Sequence, residues 1–559
     1  MSARLDAAYR AAALNSLGDT EIDVLVIGGG VVGAGSALDA AARGLSVTLV
    51  EARDFAAGTS SRSSKLIHGG LRYLEQLDFW LVREALKERK LLLRKLAPHL
   101  VHPISFLFPL QHRWERPYIG AGVALYDTMG GAGAVPMHRH LSRTRALELA
   151  PALRPDAMTG AIRLFDGQVD DARHTMTIAR TAAQHGATVL TRTKVTGLLR
   201  AGQRVIGAYV TDLETGREYT VRARRVISAT GVWTDEMNKL TGVEFPFHVR
   251  TSKGVHILVP RERLDLDTGL MMRTEKSVLF VIPWGRHWII GTTDTDWSLD
   301  KDHPSASAAD IRYILDHVNA LLREPLTEAD IVGTYAGLRP LLSGASSSDT
   351  TKLSREHAVA EPVPGLFVIA GGKYTTYRVM AADVVDAAVQ GLGRAVAPSV
   401  TEHLPLLGAV GYHELLADAA AVAKDADLPV ATVQRLLGRY GSAIHDLFEL
   451  IARNPELRAA LPGAADTLAA EVVYAVTHEG ALHLDDILTR RTRMSIELAD
   501  RGVAAAPEIA RLIAPHLGWD EATTEREVTR YRDRVAAELA ANEALDDETA
   551  NAARLVASA

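Results

Sequence analysis

Three kinds of hydrophobic patterning follow one another along this chain, and each predicts a different kind of element. Ile22 to Ile27 and Ser46 to Val50 are short apolar runs, as are the starts of Arg225–Trp233 and Gly365–Arg378. Runs of this length that end in glycine or small residues suit buried strands. Thr188 to Leu190 and Lys194 to Leu199 read as shorter strands, followed by a meander near Val205–Tyr209 and Glu218–Val221. From 246 to 300 apolar and polar positions alternate, which predicts an antiparallel sheet with strands His256–Val259, Val278–Ile282 and His287–Gly291. Trp284-Gly285-Arg286 supplies the hairpin turn between the last two. Beyond about residue 400 the spacing becomes helical and alanine-rich, near 412–424, 429–440, 466–478 and 521–540. Met1 to Thr20 reads as a short alanine-rich helix.

The first apolar run leads into Gly28, Gly30 and Gly33, a G-x-G-x-x-G turn that opens a helix, and the second run ends at Glu51. The first glycine permits the tight turn, the second lets a pyrophosphate approach the backbone, and the third lets helix and sheet pack closely. The helix start presents free N–H groups to phosphate, and Glu51 stands where a carboxylate accepts ribose hydroxyls. Together these predict a dinucleotide site.

The next segment selects FAD over NAD. Ala57 to Glu75, AGTSSRSSKLIHGGLRYLE, mixes Ser, Gly and basic residues with apolar Leu66, Ile67 and Leu71, which suits a loop wrapping phosphates and a ring system. Ala229-Thr230-Gly231 and Gly371-Gly372 end two further strands, where small residues let a cofactor come near the backbone. We assign to the cofactor Gly28, Gly30, Gly33, Glu51, Ser60, Ser61, Ser63, Lys65, His68, Val195, Gly231, Trp233, Gly372 and Thr375.

Composition narrows the remaining classes. At 559 residues the chain has room for two or three domains. A net charge of −6 gives no reason to expect nucleic acid. The absence of cysteine excludes disulfides, thiol catalysis and cysteine-ligated metals, and suits a reducing cytoplasm. No metal site is expected. No apolar stretch approaches about 18 residues, so a transmembrane helix is not expected, and the N-terminus lacks an apolar signal core. Phe79 to Lys95 predicts a cationic amphipathic helix. It either lies on an anionic membrane or, as we favour for this helix taken alone, packs its leucines on the sheet while Arg83, Lys87, Arg89 and Arg94 face water.

The stretches GTSSRSSKLIHGGLRYLE, KGVHILVP, GTYAGLRPL, GGKYTTYR and DDILTRRTRM resemble the FAD-dependent, quinone-linked sn-glycerol-3-phosphate dehydrogenases over about residues 20 to 500. The resemblance implies an α/β fold: a Rossmann-like FAD domain of the glucose-oxidoreductase type, an α+β substrate cap and an all-helical C-terminal domain. We place the FAD domain at 20–100, 151–245 and 331–400, the cap at 101–150 and 246–330, and the helical domain at 401–559. It implies oxidation of sn-glycerol 3-phosphate to dihydroxyacetone phosphate, with electrons passed to a membrane quinone. Peripheral association with the inner face of the cell membrane from the cytoplasm follows from the same resemblance. The oligomeric state is left open, a homodimer among the options.

The reaction must hold a phosphate dianion, remove the C2 hydroxyl proton as C2 gives a hydride to flavin N5, and stabilise the forming ketone. By similarity Arg72 and Tyr73 contact substrate, and so does Arg339, placed between Gly337 and Pro340. Lys373 reaches the substrate or the flavin ring. His256, with a near-neutral pKa, is the preferred proton acceptor. His256, Arg339 and Lys373 are the expected catalytic residues; His68 shapes the loop, and His102 takes a structural reading. An oxidase passing electrons to oxygen, an amine or amino-acid oxidase, and a non-catalytic flavoprotein scaffold are the rival readings.

Overall fold

The computed structural model describes residues 4–70, 74, 78–130, 135–243, 245–275, 278–343 and 357–556. Arg72 and Tyr73 lie outside the described residues.

The apolar runs build one sheet. Its parallel core runs Leu366–Gly371, Glu218–Ser228, Ile22–Ile27, Val47–Val50 and Thr188–Leu190, with His357–Val363 antiparallel at one edge. Val24, Leu25, Val26 and Leu49 are fully buried, because helices cover one face of the sheet and the antiparallel strand Arg204–Asp212 packs Val205, Ala208 and Val210 on the other. The helical face is formed by Val31–Ala42, Asp171–Gln184 and Tyr377–Val389, which pack together. Glu218–Ser228 is one strand with two partners: its first half pairs antiparallel with Arg204–Asp212, and its second half joins the parallel core.

The alternating segment belongs to a second, ten-stranded sheet. His248–Pro260 is its longest strand, flanked by His287–Gly291 on one side and by Gly333–Ser343 on the other. This sheet extends beyond the cap segments read from sequence. Gly160–Val169, inside 151–245, pairs with Val101–Leu110, and Gly333–Ser343, inside 331–400, pairs with His248–Pro260. The expected 101–150 crossing is in fact opened by the strand Val101–Leu110, which carries Pro103 and Pro109.

Helix Phe79–Leu91 continues into a wider turn at Leu92–Leu96. Arg83, Lys87 and Arg94 are exposed, but Arg89 is a correction to the sequence reading. It is buried and paired with Asp166 at 2.5 Å, beside Tyr126, so its charge ties this helix to the second sheet.

The C-terminal region is helical, with one small hairpin at Ala460–Leu461 and Ala464–Leu468, and has its own core around Leu436, Ile444, Tyr474 and Ile509. It is tied into the other layers at both ends. Arg490 and Arg491 are buried on Asp54, and Arg173 pairs with Glu479. Farther along, the Ala544 carbonyl accepts from Ala308 N at 2.8 Å, and Asp547 joins Asp310 in neutralising the fully buried Lys253.

Candidate active site

The nucleotide turn is built so that backbone meets backbone. Gly28 has φ +108°, and a Cβ there would lie 2.7 Å from the Ala229 carbonyl oxygen; a Cβ on Gly33 would lie 1.8 Å from that of Gly28. Neither position accepts a side chain, so the strand end and helix start come as close as a pyrophosphate requires. Glu51 is half-buried beside this turn, its two oxygens accepting from Gly29 N at 2.6 Å and Arg53 N at 2.8 Å. Burial pushes its carboxyl pKa up, while those two N–H groups and Arg53 oppose the shift. Strand Thr193–Ala201 starts alongside, with Thr193 N donating to the Glu51 carbonyl, and sets Val195 two residues farther on. Ser60 Oγ accepts from Val31 N at the helix start. Gly231 and Gly372 adopt positive φ at the ends of two neighbouring strands. Trp233 stacks under Arg53, and Gly58 leaves room for its ring.

The Ser-rich loop is held by charge. Asp171 Oδ2 accepts from Ser63 N at 2.9 Å and from its hydroxyl at 2.7 Å, while Oδ1 accepts from Lys65 Nζ at 2.8 Å. Lys65 is fully buried, and its ammonium also donates to the Ser61 carbonyl and lies over the Tyr335 ring. Its side chain is therefore spent on the loop itself. Arg493 reaches the same carbonyl and both Asp170 and Asp171. Burial works against the Asp170 charge, but Arg493 and Arg439 hold its carboxyl well below the usual range. His68 is bound through its backbone to Thr375 Oγ1, and Tyr374 donates to the Asp171 carbonyl, which brings the turn after Lys373 against the loop.

His256 and Arg339 sit on neighbouring strands. His256 is opposite Tyr335, and the rings stack at 4.7 Å; Gly291 leaves the space the imidazole occupies. Its Nε2 lies 2.8 Å from Ser64 Oγ, whereas the buried Nδ1 has no hydrogen-bond partner among the described residues. The expected near-neutral pKa is corrected. Burial, then Arg339 and Lys65, hold His256 well below the ordinary histidine value, so the ring is neutral and able to accept a proton. Arg339 donates to Thr292 Oγ1 at 2.9 Å, the Thr293 carbonyl at 3.1 Å, Asp294 at 3.2 Å and Ser252 Oγ at 3.3 Å. Gly254 lacks the Cβ that would collide with its guanidinium.

Sequence reasoning gave no role to Ser64, Asp170, Asp171, Tyr335, Asp294 or Arg493. Asp170-Asp171 directly after a strand, and the arginines of DDILTRRTRM, were the available signals, but their pairing spans more than three hundred residues.

The donors suit FAD: a glycine turn at a helix N-terminus, an acid beside it and small residues at three strand ends. Comparison with known proteins agrees. Residues 23–382 match the FAD dependent oxidoreductase model, and residues 399–524 match the C-terminal domain of alpha-glycerophosphate oxidase. The chain is 58% identical over 554 residues to glycerol-3-phosphate dehydrogenase 2 of Mycobacterium tuberculosis, covering 99% of this chain and 94% of that protein. It is 37% identical over 545 residues to the human mitochondrial glycerol-3-phosphate dehydrogenase, covering 94% and 74%. Among solved structures, the Bacillus halodurans glycerol-3-phosphate dehydrogenase complexed with FAD superposes with a TM-score of 0.78 at 29% identity, covering 95% of this chain and 98% of that one.

Proposed function

The chain belongs to the FAD-dependent oxidoreductase family, and from that premise we propose that it oxidises sn-glycerol 3-phosphate to dihydroxyacetone phosphate. The observation that carries this reading is the pairing of a neutral, buried His256 with Arg339 on adjacent strands, beside a loop built for FAD. FAD is the cofactor; when bound, it supplies the hydride acceptor. Gly28, Gly30, Gly33, Ser60 and Glu51 hold its nucleotide end, and the Ser61–His68 loop with Gly372 and Thr375 shapes the wall nearer the substrate.

Ser64 fixes the orientation of the imidazole through Nε2, and the neutral ring is the group that accepts the C2 hydroxyl proton. Arg339, already oriented by Asp294 and Thr292, holds phosphate or the forming ketone oxygen, and Arg72 and Tyr73 complete the substrate contacts by sequence similarity. Lys373 stabilises developing negative charge. A neutral base beside cationic groups suits this chemistry, because the substrate brings two negative charges and gains a third as its hydroxyl ionises.

Electrons then pass to a membrane quinone. Among the described residues no helix is long and apolar enough to cross a membrane. Surface contact through Trp80, 79% exposed, and Trp114, 62% exposed, each beside arginine at the start of a helix, supports a monotopic arrangement. Oxygen as acceptor is the second reading, favoured by the match of the C-terminal domain to an oxidase family.

The deciding experiment is anaerobic addition of sn-glycerol 3-phosphate to the purified flavoprotein, followed by a quinone analogue or air. Flavin bleaching with fast reoxidation by quinone and slow reoxidation by air is expected. Fast reoxidation by air with stoichiometric peroxide would give the oxidase, and no bleaching would overturn the substrate.

A further inference from the structure

A cavity of about 470 Å³ lies where loop 53–62, His303 and the helices Glu521–Glu543 and Asp547–Leu555 meet. Five of its arginines come from three separate parts of the chain: Arg53 and Arg62, Arg490, and Arg534 and Arg554. Four have carboxylates within reach. Arg53 has Asp302 at 3.8 Å, Arg490 has Asp54 at 2.5 Å and Asp486 at 2.6 Å, Arg534 has Asp485 at 2.7 Å, and Arg554 has Glu538 at 3.9 Å.

Arg62 is different. Among the described residues its guanidinium has no ion pair and no side-chain hydrogen bond, although it is half-buried among the other four. Burial lowers its pKa to about 9, and Arg53, Arg534, Arg490 and Arg554 all push in the same direction. His303, on the same wall, is lowered to about 3, first by burial and then by Arg554, Arg62 and Arg53. The remaining acids are engaged: Asp485 and Asp486 with Arg490, and Glu527 with His483. A half-buried guanidinium without counter-charge is costly unless something brings that charge.

We propose that this cavity binds a small phosphorylated anion, a phosphate monoester or inorganic phosphate, whose dianion pairs with Arg62 and Arg534 in the space lined also by His303. Its volume falls within the range of ordinary small-molecule sites, and a guanidinium grips phosphate through two parallel N–H bonds. The site is separate from the nucleotide cradle, because Gly28, Gly30, Glu51 and Ser60 are not among its walls. It joins the flavin loop to the C-terminal helices, so its occupant links the two.

The test is calorimetric titration of inorganic phosphate into the full-length, FAD-loaded protein carrying Arg339→Ala, which disables the substrate clamp. Single-site binding is expected, weakened about tenfold or more by adding Arg62→Ala and unchanged by adding Arg143→Ala on a distant exposed helix. In phosphate-free buffer Arg62→Gln should melt no lower than the parent, because it removes repulsion and orphans no carboxylate. Absence of binding, binding indifferent to Arg62→Ala, or binding only after the flavin is removed would each overturn the proposal. The last would mean that the cofactor's own phosphates fill the cavity.

Discussion

Ser64 Oγ stands 2.8 Å from His256 Nε2, so a residue of the flavin loop fixes the orientation of a ring on the substrate sheet. The two lie 192 positions apart, Ser64 in the loop that leads into Leu66–Ile67 and His256 on the longest strand of the same ten-stranded sheet. The contact makes Ser64 a positioning residue. Ser64→Ala should lower the rate of anaerobic flavin reduction about tenfold with little change in KM, and Ser64→Thr should restore most of it. His256→Ala should lower the same rate by about 10²- to 10⁴-fold, the range of general-base catalysis. Stopped-flow bleaching across pH 5 to 9 checks both, and a rate in His256→Ala equal to the parent's would remove His256 as the base.

Arg339 is held by four acceptors and so is oriented before substrate arrives. Arg339→Lys keeps the charge but loses the planar fork. A fall of about 10- to 100-fold in kcat/KM with full flavin content is expected, corresponding to the loss of charged hydrogen bonds. Steady-state kinetics against the absorbance ratio of protein to flavin separates this from a folding defect.

Arg493→Ala should do the opposite and strip the flavin. It would leave Asp170 and Asp171 buried with only Lys65 and Arg439 to neutralise them. Breaking a buried pair of this kind costs about 3–5 kcal/mol, and here the strain falls on the loop that wraps the cofactor. Flavin retention after gel filtration, with the thermal midpoint, gives the answer; a stable variant with full flavin would contradict this account of the loop.

His483 gives a pH signature. It lies 3.0 Å from both Glu214 and Glu527, and these bonds raise its pKa to about 9 despite the opposing effect of burial. A histidine raised on folding adds stability that is fully present below its unfolded value of about 6.5 and is lost as pH rises through the folded one. Denaturant unfolding should therefore show on the order of 3 kcal/mol less stability at pH 9.5 than at pH 6 from this residue. His483→Gln should flatten that slope. An unaltered slope would show that the ring is not charged in the folded protein.

The parallel core was legible because its strands are uninterrupted apolar runs and its turns need glycine. Ile22–Ile27, the Gly28 turn and the Gly371-Gly372 strand end all announce themselves locally. Val101–Leu110 did not, because Pro103 and Pro109 weaken the strand signal, and only its ten-residue pairing with Gly160–Val169 makes it one. Arg89 read as a solvent-facing charge because its partner, Asp166, is 77 residues away. Arg493 was visible as part of a motif but not as a clamp. Charge pairing across distant segments leaves no periodicity in a sequence, and the loop it holds looks the same with or without it. Lys65 shows the same limit: its composition pointed to phosphate, and its burial beside Asp171 gives it to the loop.

Lys253 belongs to the strand that carries His256, and one of its two carboxylate partners is Asp547, 294 positions farther along at the start of helix Asp547–Leu555. The other is Asp310 of helix Ala308–Asn319, so this ammonium is neutralised only when three separate segments are docked together. Loss of Asp547 alone would leave an ammonium sealed inside the substrate sheet with half of its neutralising charge missing.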